Sequence, residues 1–337
     1  MSPLIFSSKD VEHLLSMRDC IALMEQAFAD LQRGFLHHPL RTFWVPPGVN
    51  GGTMWMAAYR SSPKPMFGTK LLFVLNDNPS RGLDSHQGPV ILADGETGEL
   101  RALLDASAVT AIRTAAVSAL ATRLLARENA CVLAIVGTGV QARKHIESIA
   151  LVRRIQRVLV AGRTSEHARG FVEEMSRTAS LESLELSAAE SAEAAVRTAD
   201  IIVTATDSPT PVVKREWLRP GTHVNAIGAS RPKTWEIDPR IYQDAIAFCD
   251  RRESLQAEAG DFLQAAANGF IPRVDEVGEL GELVTGRRKG RTSPDQITLF
   301  RSLGLAVEDL AVAEFVVRKQ EGLQPDLSTK RAAPPSD

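Results

Sequence analysis

Apolar residues recur along this chain with two different periods. Ile21, Met24, Phe28 and Leu31 fall three to four positions apart behind Ser16-x-x-Asp19, the spacing of an amphipathic helix entered through a capping box and stopped at Gly34. From Arg41 to Leu104 the pattern shortens to runs rich in Val, Leu, Phe and Thr. The turn clusters Pro46-Pro47-Gly48, Ser61-Ser62-Pro63, Asn78 to Gly82 and Asp94 to Gly98 separate them. Such punctuation predicts short strands in an antiparallel sheet or barrel. A long helical segment from about Ser107 to Arg127 leads out of this region.

Beyond it, apolar runs and amphipathic stretches alternate. Strands are predicted at 132–136, 157–161, near 184–186 and at 200–204, with further ones near 222–227 and 245–248. Helices are predicted at 140–151, 165–177, 188–197 and from about Arg252 to Ala267. This alternation implies parallel strands with crossover helices, a doubly wound α/β sheet. From about Pro294 the residues Leu299, Leu303, Val307, Leu310, Ala313 and Val316 read as one helix face that returns to the first domain. The tail 326–337 is polar and Pro-rich and is expected to be disordered.

Composition narrows the class without naming it. A chain of 337 residues, 44% hydrophobic and 24% charged, exceeds what one core usually serves, so two domains are expected. A net charge of -2 without dense Lys/Arg runs gives no reason to expect nucleic acid or an anionic membrane as partner. The N-terminus lacks a charged region followed by a long apolar run, and no uninterrupted apolar stretch reaches the roughly 20 residues of a membrane span, so a cytoplasmic location is expected. Cys20, Cys131 and Cys249 lie far apart in apolar surroundings, which fits neither a disulfide framework nor a metal site. No metal is expected.

The clearest chemistry lies at Val132 to Ala142. Five apolar residues run into Gly137-Thr138-Gly139-Val140-Gln141-Ala142 and then into an amphipathic stretch. This is the turn at which a dinucleotide's pyrophosphate meets backbone N–H groups, here those of Thr138 through Ala142, at a helix N-terminus. An acidic residue ending the next strand would hold a ribose 2′-OH, but that place carries Gly162-Arg163-Thr164. Arg163 and Thr164 suit a 2′-phosphate, so NADPH is expected over NADH, with NADH still possible. The plain alternative makes Arg163 a solvated loop residue and Thr164 a helix N-cap. Thr204 and Thr206 end one strand, Ala226 and Gly228 the next, and both ends are expected near the nicotinamide half. Routine strand capping would also explain Thr206.

Three isolated cations stand out. Lys70 sits in the apolar run Met66 to Val74, where an ammonium is either functional or guards a sheet edge. Arg113 stands among Ala and Thr on the long helix, open to a carboxylate or phosphate or simply on the surface. Arg41 enters the sheet region in Pro39-Leu40-Arg41-Thr42.

Together with Ser85-His86-Gln87-Gly88, Ala111 to Ala116, Asn225 to Pro232 and Ser302 to Asp309, these segments resemble the ornithine cyclodeaminase and mu-crystallin family in collinear order from about residue 10 to 320. The resemblance implies a Rossmann-type dinucleotide domain, 119–299, set between the pieces of a split α+β substrate and dimerisation domain, 1–118 and 300–325. It also implies a homodimer. Arg41 and Arg113 would bind a substrate carboxylate, Lys70 would contact the reacting centre, and Arg113 and Thr114 would lie near the cofactor phosphates, with Ser302 also at the cofactor. Family cyclodeaminases and alanine dehydrogenases carry an Asp after Gly228-Ala229, where this chain has Ser230. Oxidising or cyclising an amino acid needs a base there, whereas a ketimine needs only a hydride and a proton. Ser230, at the substrate, therefore points toward the mu-crystallin branch and NADPH-dependent reduction of a small cyclic imine carboxylate. The alternatives are an NAD-using cyclodeaminase or amino acid dehydrogenase, and a cofactor- and ligand-binding protein without catalysis. His86 and Glu282 are weaker site candidates, Glu308-Asp309 is expected to cap or pair locally, and Met54, Met56 and Phe73 are expected to wall the pocket.

Overall fold

A computed structural model of the chain describes residues 2–271 and 273–323. The expected disorder of 326–337 falls outside them. The chain divides into two compact units, Met1–Arg113 with Gly304–Asp337, and Thr114–Leu303.

The first unit begins with β1 (Leu4–Phe6), α1 (Ser8–Leu14), α2 (Met17–Gln32), β2 (Leu36–His37) and β3 (Thr42–Trp44). It continues through β4 (Gly51–Arg60), β5 (Met66–Leu75), β6 (His86–Gln87), β7 (Pro89–Asp94) and β8 (Leu100–Asp105). Helix α3 (Ala106–Leu125) then carries the chain from this unit into the next. The strands form one sheet in the order β1-β8-β7-β5-β4-β2, with β3 on β4 and β6 on β5. All pairs are antiparallel except β1 with β8. The chain's last helix, α11 (Ala306–Gln320), packs on β4, β5 and β7 and against α2. Side chains alternate across a strand, so Met66, Lys70, Leu72 and Val74 of β5 are buried while Phe67, Phe73 and Leu75 are exposed. That parity corrects one expectation. Met56 pairs with Lys70 and shares its face, but Phe73 points to the opposite one and cannot wall the same pocket.

The second unit follows the predicted alternation. It contains β9 (Val132–Val136), α4 (Val140–Ala150), β10 (Arg157–Ala161), α5 (Ser165–Met175), β11 (Glu185–Ala188), α6 (Ala192–Thr198) and β12 (Ile201–Thr204). Then come β13 (His223–Ala226), α7 (Ile241–Asp244), β14 (Ala245–Cys249), α8 (Arg252–Glu258) and α9 (Gly260–Ala267). The unit closes with β15 (Gly278–Glu279), α10 (Leu280–Val284) and β16 (Ile297–Arg301). All eight strands are parallel, in the order β11-β10-β9-β12-β13-β16-β14-β15. Alternate residues of β9 and β12 feed two separate apolar clusters: Ala134, Val136 and Ile202 one, Leu133, Ile135, Ile201 and Val203 the other. A sheet covered on both faces has near-continuous apolar strands, which is why all five residues of β9 are buried.

Two sequence expectations change here. The helix predicted from Pro294 is first a strand: Ile297 to Arg301, rich in β-branched and aromatic residues, lies fully buried between β13 and β14, and helix begins only at Ala306. The apparent helical spacing through Leu299 and Leu303 was a coincidence of two elements. Helix α3 is long and apolar enough to cross a membrane, yet most of it is buried inside the protein. It serves as a core helix.

Candidate functional site

In the first unit two of the three isolated cations, Lys70 and Arg113, pair with two acids from the far end of the chain, and Arg41 reaches the backbone just before them. Lys70 is not at a sheet edge, because β5 lies between β4 and β7. Its side chain is 1% exposed, and Nζ donates to Asp309 Oδ1 at 3.1 Å and Thr110 Oγ1 at 3.2 Å, with Asp309 Oδ2 at 2.9 Å. Arg113 Nε donates to Asp309 Oδ1 at 3.2 Å, and NH1 donates to Glu308 Oε2 at 2.8 Å. Arg41, half-buried, donates from NH2 to the carbonyl of Gly304 at 2.7 Å. Glu308 also takes the N–H of Leu305 at 2.8 Å, so the expected local cap is present. Its main partner, and that of Asp309, is nonetheless a cation nearly two hundred positions earlier or more. Burial lowers the Lys70 ammonium to about 8, against the opposing pull of Asp309, with Arg113 and Arg41 lowering it further.

In the second unit, the chain order reverses between β9 and β12, the switch point where ligands of such sheets bind. Gly137 turns the backbone at φ 127°, and a side chain there would collide with the carbonyl of Ala205. Gly139 is the N-cap of α4, with no side-chain cap, no acidic residue in the first turn, and open space where a Cβ would stand. Val140 is exposed and Ala142 is fully buried against the sheet, while Thr138 and Gln141 are partly buried. An uncapped, unobstructed helix N-terminus fits a pyrophosphate. Thr164 is the N-cap of α5, accepting from His167 N at 3.2 Å, and Arg163 reaches Asp207 at 3.3 Å with both side chains largely in solvent. Asp207, just past β12, is a carboxylate that the motif at 162–164 gave no reason to consider.

The residues placed at the nicotinamide end turn out to be engaged internally. Thr204 Oγ1 donates to Glu236 at 3.0 Å, and Thr206 donates to it from N at 2.6 Å and from Oγ1 at 2.7 Å. The N–H of Gly228 donates to the same carboxylate. Ser302 is buried, its hydroxyl 3.4 Å from Asp250, and the Leu303 N–H also donates to Asp250. The carbonyl of Ala226 accepts from Arg301 NH1 at 3.0 Å, and Arg301 also reaches Asp261 at 2.8 Å. Thr114 is buried in α3, and Ser230 is half-buried in the turn after β13. Sequence reasoning missed Glu236, Arg301, Asp261 and Asp250. Arg301 offered the same signal as Lys70, a lone cation closing an apolar strand. Glu236, in Trp235-Glu236-Ile237-Asp238, offered none.

The weaker candidates settle into local roles. His86 lies exposed on β6, with Nδ1 2.9 Å from the Ser85 hydroxyl. Glu282 pairs with Arg252 at 2.6 Å and accepts from Glu279 N at 2.9 Å.

A model of the ornithine cyclodeaminase/mu-crystallin family matches residues 1–323. The chain is 35% identical over 319 residues to the ketimine reductase mu-crystallin of Mus musculus, covering 94% of this chain and 96% of that one. A structure of Thermococcus litoralis Δ1-pyrroline-2-carboxylate reductase in complex with NADH and L-proline superposes with a TM-score of 0.89 at 34% identity, covering 96% of this chain and 99% of that one. An archaeal alanine dehydrogenase dimer with bound NAD gives a TM-score of 0.87 at 32% identity, covering 96% of this chain and 97% of that one.

The depressed Lys70 has a thermodynamic signature. Its folded value of about 8 lies below the ordinary 10.5, so between the two the unfolded chain binds more protons and stability contributed by this group rises with pH. Urea unfolding of the wild type and Lys70→Met from pH 7 to 10.5 should show the wild type gaining on the variant across that window. Parallel curves would mean that Lys70 keeps its ordinary value.

Proposed function

The chain belongs to the ornithine cyclodeaminase/mu-crystallin family, and from that premise we propose that it reduces a small cyclic imine carboxylate with NADPH. Suitable substrates are Δ1-pyrroline-2-carboxylate and Δ1-piperideine-2-carboxylate, giving L-proline and L-pipecolate. The observation that carries the reading is the buried Lys70, charged, held in place and set to about 8 beside Arg41 and Arg113.

Reducing the C=N bond adds a hydride to carbon and a proton to nitrogen. A dihydronicotinamide held at the second unit's site would supply the hydride. Lys70 supplies the proton: an ammonium near 8 is mostly charged at neutral pH yet gives up its proton far more readily than a solvated lysine. Asp309 keeps that ammonium charged in a desolvated place, and Thr110 fixes its direction. The surrounding charge selects the substrate. Lys70 and Arg113 pair with Glu308 and Asp309, and Arg41 lies close enough to Lys70 to lower its ammonium, so the cluster offers cationic donors to a substrate carboxylate. Arg113 is preset by its two internal partners, and half-buried Arg41 is the more accessible of the two guanidinium groups.

On the cofactor side, the uncapped N-terminus of α4 would hold the pyrophosphate and Arg163 the 2′-phosphate. Arg163 gives up little in doing so, because an exposed ion pair such as Arg163–Asp207 contributes only about 0–1 kcal/mol. Absence of an acid at 230 favours reduction of a supplied imine over oxidation or cyclisation of an amino acid.

The outer face of the first unit's sheet supports assembly as a homodimer. Trp55 of β4 and Phe67 and Phe73 of β5 project from it into solvent, a concentration of exposed aromatic side chains that monomers rarely carry.

Following NADPH oxidation with five- and six-membered cyclic imines, with pyruvate plus methylamine, and with ornithine tests the proposal. One of the cyclic imines should turn over, with rates falling as pH rises through about 8, and Lys70→Met should remove turnover while NADPH still binds. Ammonia release from ornithine without net cofactor consumption would establish the cyclodeaminase reading instead. Arg163→Asp should raise the KM for NADPH by about tenfold or more, the worth of a charge-assisted hydrogen bond, and shift preference to NADH; a wild-type preference for NADH would overturn the assignment. Trp55→Glu should halve the mass seen by sedimentation if the aromatic face joins two copies, and an unchanged mass would place the interface elsewhere.

A further inference from the structure

Thr204, Thr206 and Gly228, at the carboxyl ends of β12 and β13, turn donors to one carboxylate. Glu236 is 1% exposed, and its two oxygens accept from four donors: Thr204 Oγ1, Thr206 N, Thr206 Oγ1 and Gly228 N. Its own backbone is anchored as well, since the carbonyl accepts from Val212 N at 2.7 Å and Val213 N at 3.2 Å. The turn it grips has no slack. A Cβ at Gly228 would collide with both the carbonyl of Thr206 and the Glu236 carboxylate, so the two segments touch backbone to backbone.

A second buried charge completes the grip from the other side. Arg301, fully buried and neutralised by Asp261, donates to the carbonyls of Ala226, Ala229 and Ser302. Glu236 therefore holds the turn through its donors and Arg301 holds it through its acceptors. Both charges are buried, and neither is needed to cover the sheet, for which apolar side chains would do as well at less desolvation penalty. A pair of buried charges on the same four-residue turn, at the strand ends next to the switch point, makes sense as a device that fixes backbone position to a fraction of an ångström.

We infer that Glu236 is a positioning residue for the nicotinamide end of the dinucleotide site, acting through Thr206 and Gly228 rather than by touching the cofactor. The inference rests on the cofactor reading above and sharpens it. Thr204, Thr206 and Gly228 contribute the placement of backbone, not free hydroxyls or N–H groups. The adenosine half, held at α4 and at Gly162-Arg163-Thr164, does not depend on Glu236.

That division is measurable with two probes on the intact protein. NADPH spans the whole site, and 2′,5′-ADP carries only the adenosine half. Glu236→Gln keeps the shape but turns an amide N–H₂ toward groups that are themselves donors. Calorimetric titration should show NADPH weakened by about tenfold or more, as expected for lost hydrogen bonds to a charged group, with 2′,5′-ADP within about twofold of wild type. Thr204→Val, which removes a single donor and preserves volume, should show the same split at a few-fold, and decides the matter if Glu236→Gln does not fold. Unchanged NADPH affinity in the folded variants would overturn the inference. Equal weakening of both probes would overturn it too, because Glu236 would then support the domain as a whole. Failure of the wild type to bind either probe would instead sink the cofactor reading itself.

Discussion

Everything in the first unit depends on a buried ammonium and a buried carboxylate finding each other. Lys70 stands in the middle of a strand whose neighbours on the same face are Met66, Leu72 and Val74, an environment in which a lone charge is strongly unfavourable. Asp309 answers it from 239 positions away in sequence. Removing one partner of such a pair costs about 3–5 kcal/mol, because the other is left charged and dry. Helix α11 brings that partner back to the sheet: the chain leaves this unit at Arg113, builds the second unit, and returns at Gly304 with the two acids that pair with Lys70 and Arg113. The same requirement sets the chemistry. Asp309 holds a buried ammonium charged while burial lowers it to about 8.

The second unit uses the same device for a different end. Its central strands are continuous apolar runs, and apolar clusters fill both faces of the sheet. Buried charges appear where strands end, as Glu236 beneath the turns after β12 and β13, as Arg301 with Asp261, and as Asp250 under Ser302 and Leu303. In open α/β sheets those ends are where ligands sit. The core gives stability, and the charges give the strand ends a defined shape.

Much of this was legible in the letters, and the exceptions share a cause. The glycine turn at 137–142 and the alternation around it are local, so sequence reads them directly. Lys70 was conspicuous because a charge inside an apolar run breaks a local pattern. Its partners were not: acids at the start of a helix, as Glu308 and Asp309 are, look like ordinary caps. Glu236 lies among polar letters between β13 and α7, and only a fold that brings it to residues 30 positions earlier reveals it as buried. The face of Phe73 depends on strand parity, and Ile297 to Arg301 reads as helix because a short buried run fits either period. Local chemistry could be read; long-range pairing had to be seen.

The proposed reaction moves a hydride from a nicotinamide to the carbon of an imine beside a carboxylate, with Lys70 protonating the nitrogen. The most direct measurement is mass spectrometry of the product formed from Δ1-piperideine-2-carboxylate with NADPH deuterated at the transferring position. A single deuterium at the carbon bearing the carboxylate is the result this account requires. Pipecolate without the label, or no pipecolate while ornithine loses ammonia, would contradict it.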